Sequence, residues 1–399
     1  MNTPSAPSSS EQLKQWTHQL VFLSQLLSTD TATAAEADRF YALVDRIFEL
    51  PSDVETRVMG EAIGTLAQIG DANSARWLVE ELEIEAQLQH QPDAAGRERA
   101  CLLFALPVVV PQGVSLQQHC HDPELFGELH AILQESDVVN SGADFGLIPR
   151  VFSYLELFSK SYGELKRLTM HLGQQVLAGQ QSLTLPESFE GEREPLGASV
   201  SPFVDLYFIV GSVCCRNSEL DEVFPPLGDE LDSDGSVGLD DEGQEAALTL
   251  EDPGRTAQGV PWEGPFCQAF EDAFGVIPEV LTVLPPDGLP EDLRRGLELS
   301  REIGLLQMME SHVPEDAPAR VRLGPLRAEQ DEWFVEVSCL VPDGEEGLTT
   351  EPPTVRWKVL NHETESECVE KLAECLADAS IQTETPLSLH HPLSSLILH

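Results

Sequence analysis

The run Cys101-Leu-Leu-Phe-Ala-Leu-Pro-Val-Val-Val110 carries no charged side chain and is bounded by Pro111 and Gly113. A stretch of this kind has no face to give to water. Its β-branched residues favour extended chain, so it reads as a strand buried on both faces, or as two strand pieces hinged at Pro107, where the ring removes a ladder donor. A second extended run, residues 202–215, is apolar apart from Asp205 and a few small residues, and it ends in Cys214-Cys215. Adjacent positions on a strand point to opposite faces, so those two thiols read as core residues on the two sides of a sheet.

Helical periodicity precedes this core. Leu13, Trp16, Leu20, Leu23 and Leu27 recur at spacings of three and four, which lays one apolar stripe along a helix. Thr33 or Thr31 offers a cap for a second helix through Phe40, Leu43 and Ile47, ended by Pro51. Ser52 followed by Glu55 has the spacing of a capping box for a third helix, stopped at Gly70, and a fourth spans residues 73–90. Short amphipathic helices punctuated by Gly, Pro and Asp predict an antiparallel bundle or helical-repeat hairpins over residues 11–98.

Beyond residue 99 the pattern alternates. A helix over 123–134 capped by Asp122, a strand over 145–148, a helix over 151–178 stopped by Gly179, and strands over 182–185 and 202–215 make residues 99–218 an α/β domain. Residues 219–261 then form an acidic insertion. Between Glu219 and Asp272 the only basic residue is Arg255, and so much charge with so little apolar surface predicts a mobile segment. Residues 262–386 return to an α+β pattern. Strand 280–284, helix 291–312, strands 320–327, 333–341 and 355–360, helix 363–379 and a last extended piece near Ile381 follow in the order of a ferredoxin-like split βαβ layer. Residues 1–10 and 387–399 read as tails, and the chain as a whole as α+β.

Charge narrows the function classes. The 399 residues carry a formal net charge of -46, a field that repels phosphate backbones and anionic membranes and draws cationic surfaces near. The expected partner is therefore a protein with a basic surface, with no direct nucleic-acid contact and no membrane association. Eight cysteines are scattered rather than spaced as a framework, so they read as reduced thiols in a cytoplasmic protein. No apolar run reaches spanning length.

Two clusters have metal-ligand character. Residues 230–241, Glu-Leu-Asp-Ser-Asp-Gly-Ser-Val-Gly-Leu-Asp-Asp, resemble a calcium loop of the EF-hand type. Asp232, Asp234 and Asp241 stand at ligand positions, with Gly235 at the turn and Val237 at the apolar eighth place. The pattern departs at Glu230, where Asp is usual, and at Asp241, which replaces the bidentate Glu. His119-Cys-His121-Asp122, with His130 downstream, is the zinc-capable cluster, needing one or two ligands from elsewhere. The bland reading of both, a solvated acidic linker and a polar loop with a capping aspartate, leaves the chain with no resident cofactor.

No nucleophile elbow, phosphate-cradling loop or dinucleotide fingerprint is present in the sequence. Arg294, Arg295, Arg301, Arg320, Arg322 and Arg327 concentrate in one region and are expected to compensate nearby carboxylates. The leading functional expectation is a non-enzymatic interaction protein, an adaptor, assembly factor or inhibitor. A hydrolase or transferase with its site at the strand ends, and an acidic DNA mimic that occupies a nucleic-acid-binding protein, are the alternatives.

Overall fold

A computed structural model describes residues 10–112, 123–135, 138–186, 189, 202–224, 263–274, 282–283, 286–313, 319–329, 332–340, 353–360 and 363–383. The calcium-like loop, His119, His121, Asp122, nearly all of the acidic insertion and the C-terminal tail lie outside them.

Helices α1 (Ser10–Leu27), α2 (Ala34–Phe48), α3 (Ser52–Gln68) and α4 (Ala72–Gln87) come first. Their apolar stripes meet in one core of Leu20, Leu23, Phe40, Ile47, Leu66 and Leu78. Thr33 caps α2 in a capping box with Glu36, and Gly70 ends the α3 turn at a φ of 78°. At α3 the sequence expectation fails. Pro51, not Ser52, precedes the first helical residue, and it makes no side-chain cap bond. Glu55 is instead wholly buried. The fourth helix is also shorter than its periodicity predicts, because β1 (Leu88–Pro92) peels away at Leu88 to pair antiparallel with β2 (Glu98–Pro111). Residues 98 and 99, where a domain boundary was expected, are thus consecutive in one strand of a hairpin.

Strand β2 runs unbroken through Pro107. It pairs from Ala100 to Pro111 with β4 (Val204–Cys215), and its alternate residues enter two different cores. Ala100, Phe104, Leu106, Val108 and Val110 face one side, while Cys101, Leu103, Ala105 and Val109 face the other. Burial on both faces is what an uninterrupted apolar strand requires. Helix α5 (Pro123–Glu135) and β3 (Asp144–Ser153) intervene, and β3 pairs antiparallel with β4, with a register shift between Leu147 and Val151. Val151–Ser153 therefore stay in the strand, and the single helix expected over 151–178 is two, α6 (Tyr154–Phe158) and α7 (Tyr162–Leu177). Each opens with its own Ser–Glu capping box, at Ser153 and Ser161. The strand expected at 182–185 is reduced to one bridge between Leu147 and Ser182.

Helix α8 (Glu263–Phe274) and β5 (Thr282–Val283) return to this central body. Thr282 and Val283 pair with Val109 and Val108, which completes a sheet of order β1-β2-β4-β3 with β5 also on β2. The segment expected to open a split βαβ layer therefore belongs to a different sheet. α5 and α8 cover one face, and α7 and the long helix α9 (Leu289–His312) the other. α9 lies so close that a Cβ at Gly296 would come within 2.8 Å of the Phe208 ring and 3.0 Å of Pro107.

The second sheet holds β6 (Arg320–Leu323), β7 (Arg327–Glu329), β8 (Glu332–Cys339), β9 (Thr354–Lys358) and β10 (Gln382–Thr383), with α10 (Glu365–Asp378) before β10. Its order is β10-β6-β8-β7, with β9 on β8, a three-strand meander closed by one parallel crossover. That order differs from a split βαβ layer, in which a helix separates the first two strands. The inward positions Val335, Val337, Cys339, Val355 and Trp357 pack with α9 and α10 residues such as Met308 and Leu372. Helices with mainly antiparallel sheets make the chain an α+β protein.

Candidate functional site

Polar chemistry buried in the body is committed to holding elements together. The Glu55 carboxylate accepts the Ser161 hydroxyl at 2.7 Å and the Gly163 N–H at 2.8 Å, which anchors α3 to the first turn of α7. Only glycine fits at 163, since a Cβ there would clash with the Phe48 carbonyl. Burial raises the Glu55 pKa despite those hydrogen bonds and the nearby Arg167.

Asp292 does a comparable task for the sheet. Its carboxylate accepts the Ala105 N–H at 2.7 Å and the Asp287 N–H at 2.6 Å, and burial pushes its pKa well above the usual carboxylate value. The placement follows from the ladder. β1 partners β2 only as far as Leu102, and β5 begins at Val108, so the β2 edge between them has no strand partner among the described residues. Side-by-side backbone groups alternate with period two, so the next N–H on the Ala105 edge would belong to residue 107, a proline with none to satisfy.

Midway along α9, Arg301 meets the second sheet. Its guanidinium is 1% exposed and forks onto Glu363 at 2.7 and 2.8 Å. It also donates to the Lys358 carbonyl at 2.7 Å and stacks over Trp357 at 4.3 Å. Burial alone would raise the Glu363 carboxyl; Arg301, the Leu360 N–H and Lys371 outweigh it and hold the pKa below the usual value.

Of the residues expected to bind metal, His130 alone is described. It lies on α5, 5% exposed, stacked on the Phe145 ring at 4.2 Å, with Nε2 3.0 Å from the Phe145 carbonyl. A carbonyl only accepts, so Nε2 carries the proton and donates. Burial lowers the pKa of the ring. His130 is thus a core histidine in this fold. Among the described residues no three His, Cys, Asp or Glu side chains gather as a cation site.

The thiols follow the same pattern. Cys101 and Cys214 stand opposite one another across β2 and β4, and the hydrogen bond between them together with burial raises the Cys214 pKa. Cys368 is pushed up to about 11 by burial.

The outer surface of the helical layer is different. Along α1, Glu11, Lys14, Gln15, His18, Gln19 and Phe22 line a shallow concavity of about 410 Å³. These positions recur at helical spacing, opposite the stripe that carries Leu20 and Leu23. Phe22 is 54% exposed, and the other large hydrophobics left in solvent among the described residues, Ile69, Ile84, Phe158 and Met170, also lie on or at the ends of helices in the first half of the chain. Sequence periodicity assigned the buried stripe of α1 and overlooked Phe22, although an aromatic on the polar face was its visible signal. Among the described residues no helix is long and apolar enough to cross a membrane. No protein-family model, no curated protein and no solved structure matches the chain.

Proposed function

We propose that the chain is a non-enzymatic protein-interaction module, an adaptor, assembly factor or inhibitor, that offers an acidic helical surface to a partner with a basic contact patch. The observation that carries this reading is Phe22, exposed within the α1 concavity that Glu11, Lys14, Gln15, His18 and Gln19 also line. An exposed aromatic in a shallow recess suits an anchoring contact at an interface, where aromatic residues are enriched. Exposed carboxylates at Asp38, Glu49, Asp53 and Glu61 on the same layer supply a field that favours cationic partners and speeds their encounter. The reading asks for no resident cofactor.

Affinity capture from the native cell at about 0.05 and 0.5 M salt, with mass spectrometric identification, tests it. Exposed charges more than a Debye length apart are screened at the higher salt. Basic-surface proteins should be retained at low salt, released at high salt, and depleted when Phe22→Ser is the bait. Recovery of only acidic proteins or nucleic acid, or turnover of a small molecule by the purified chain, would overturn it.

A further inference from the structure

Among the described cysteines, Cys101 and Cys214 are the pair that stands directly opposed in a strand ladder. The kind of opposition follows from the parity of the β2 hydrogen bonds. The Asp93 N–H donates to the Arg97 carbonyl at the start of the β1–β2 hairpin, so the pairs that exchange backbone bonds are Asp93–Arg97, Gln91–Arg99 and Gln89–Cys101. Odd-numbered β2 residues therefore turn their backbone groups toward β1. The Ala105 N–H keeps that parity by pointing to Asp292, away from β4. Even-numbered residues face β4, and the Gln112 N–H donates to the Phe203 carbonyl accordingly. Cys101 and Cys214 are thus a non-hydrogen-bonded pair, the kind whose side chains come closest.

Opposed Cβ atoms are roughly 4.5–5.5 Å apart, nearest in such pairs, and a disulfide holds them at roughly 3.5–4.5 Å. A small lateral shift of the strands closes the difference, and a hydrogen bond already joins the two thiols. Both lie in the core beneath α7. A Cβ at Gly173 of α7 would come within 2.8 Å of the Cys101 Cβ and 3.0 Å of its Sγ, and the Cys214 Sγ is 3.6 Å from the Gly173 carbonyl. Cys215 packs in the core on the opposite face of the sheet. Arg99, two residues before Cys101 on the same strand, is 8% exposed and donates to the Cys214 carbonyl at 3.2 Å. Its Nε has no hydrogen-bond partner among the described residues. A cation there favours thiolate at Cys214, against the burial that raises the thiol.

We propose that Cys101 and Cys214 are a modification site, a dithiol that hydrogen peroxide converts to a cross-strand disulfide. One thiolate attacks the peroxide: an S–O bond forms, the O–O bond breaks, and the departing hydroxide takes up the thiol proton as water. The partner sulfur then displaces the hydroxyl of that sulfenic acid, forming the S–S bond and releasing a second water. Two electrons pass from the thiol pair to the peroxide. Both thiols are 0% exposed, so the first step waits for a local opening of α7 from the sheet.

Hydrogen peroxide added to the full chain in native buffer tests the proposal. A Cys120→Ala/Cys215→Ala background leaves a single cysteine in each of the two tryptic peptides concerned. After quenching with N-ethylmaleimide, mass spectrometry should find Cys101 joined to Cys214, and dithiothreitol should release both. The bond closes a loop on the order of 100 residues, so the oxidised chain should melt about 5 °C above its reduced form. Adding Cys101→Ala should abolish both the cross-link and the difference in melting temperature. Recovery of both cysteines alkylated, a bond from either to another cysteine, a cross-link that forms only in urea, or a cross-linked chain that melts no higher would overturn the assignment.

Discussion

Glu55 sits three residues after a serine at a helix start, yet its partners are 106 and 108 residues away. Spacing alone identified a capping box there, and the same spacing was correct at Thr33 and Glu36. The two cases differ in what packs against the helix end. α7 arrives at α3 and offers an unpaired N-terminal N–H, a stronger claim on a buried carboxylate than the local Ser52 backbone. Local sequence holds no trace of that competitor. Glu55→Ala would leave the Gly163 N–H buried without an acceptor, and it should cost about 2–3 kcal/mol in urea unfolding. Glu55→Gln, which keeps one acceptor, should cost less. Equal, negligible losses in both would mean that the contact contributes nothing to holding α3 on α7.

Elements show the same division. Strands β2 and β4 were legible because burial on both faces leaves a continuous apolar signature. Strand β1 was not, since Leu88–Pro92 continues the helical spacing of α4 and becomes extended only by pairing with β2. The arginine group was visible as a concentration along the chain, but the fold divides it between α9 and the second sheet, a separation that linear spacing does not carry. Arg301 joins α9 to the segment between β9 and α10 through Glu363. Removing one partner of a buried, doubly hydrogen-bonded ion pair typically costs about 3–5 kcal/mol. Arg301→Ala should therefore destabilise the chain by about that much, and hydrogen exchange should lose protection in β8 and β9 before β2 and β4. Uniform loss across both sheets would show that the pair does not act as a local fastening.

Across the whole molecule, several carboxyls are shifted the same way. Burial raises Glu55, Glu83, Glu85, Asp292 and Glu302 above their usual values. A raised native pKa means that the folded state binds more protons than the unfolded one, so stability falls as pH rises from the ordinary carboxylate range through the raised values. Glu36, Asp71, Asp93, Glu363 and Glu367 are lowered, and their contribution is lost only as pH drops below the usual carboxylate range. Self-repulsion at a net charge of -46 adds to the loss at higher pH. The melting temperature should therefore be higher near about pH 5.5 than near about pH 8, and the gap should narrow in high salt. A melting temperature that rises steadily toward pH 8 would contradict these shifts. The Ala105–Asp292 contact also sets an order of events. Its two residues are 187 apart, and ribosomes add about 5–20 residues per second, so roughly 10–40 s pass between their syntheses. During that interval the middle of β2 is an open template for any other extended chain, an exposure that ends only when α9 packs beside it.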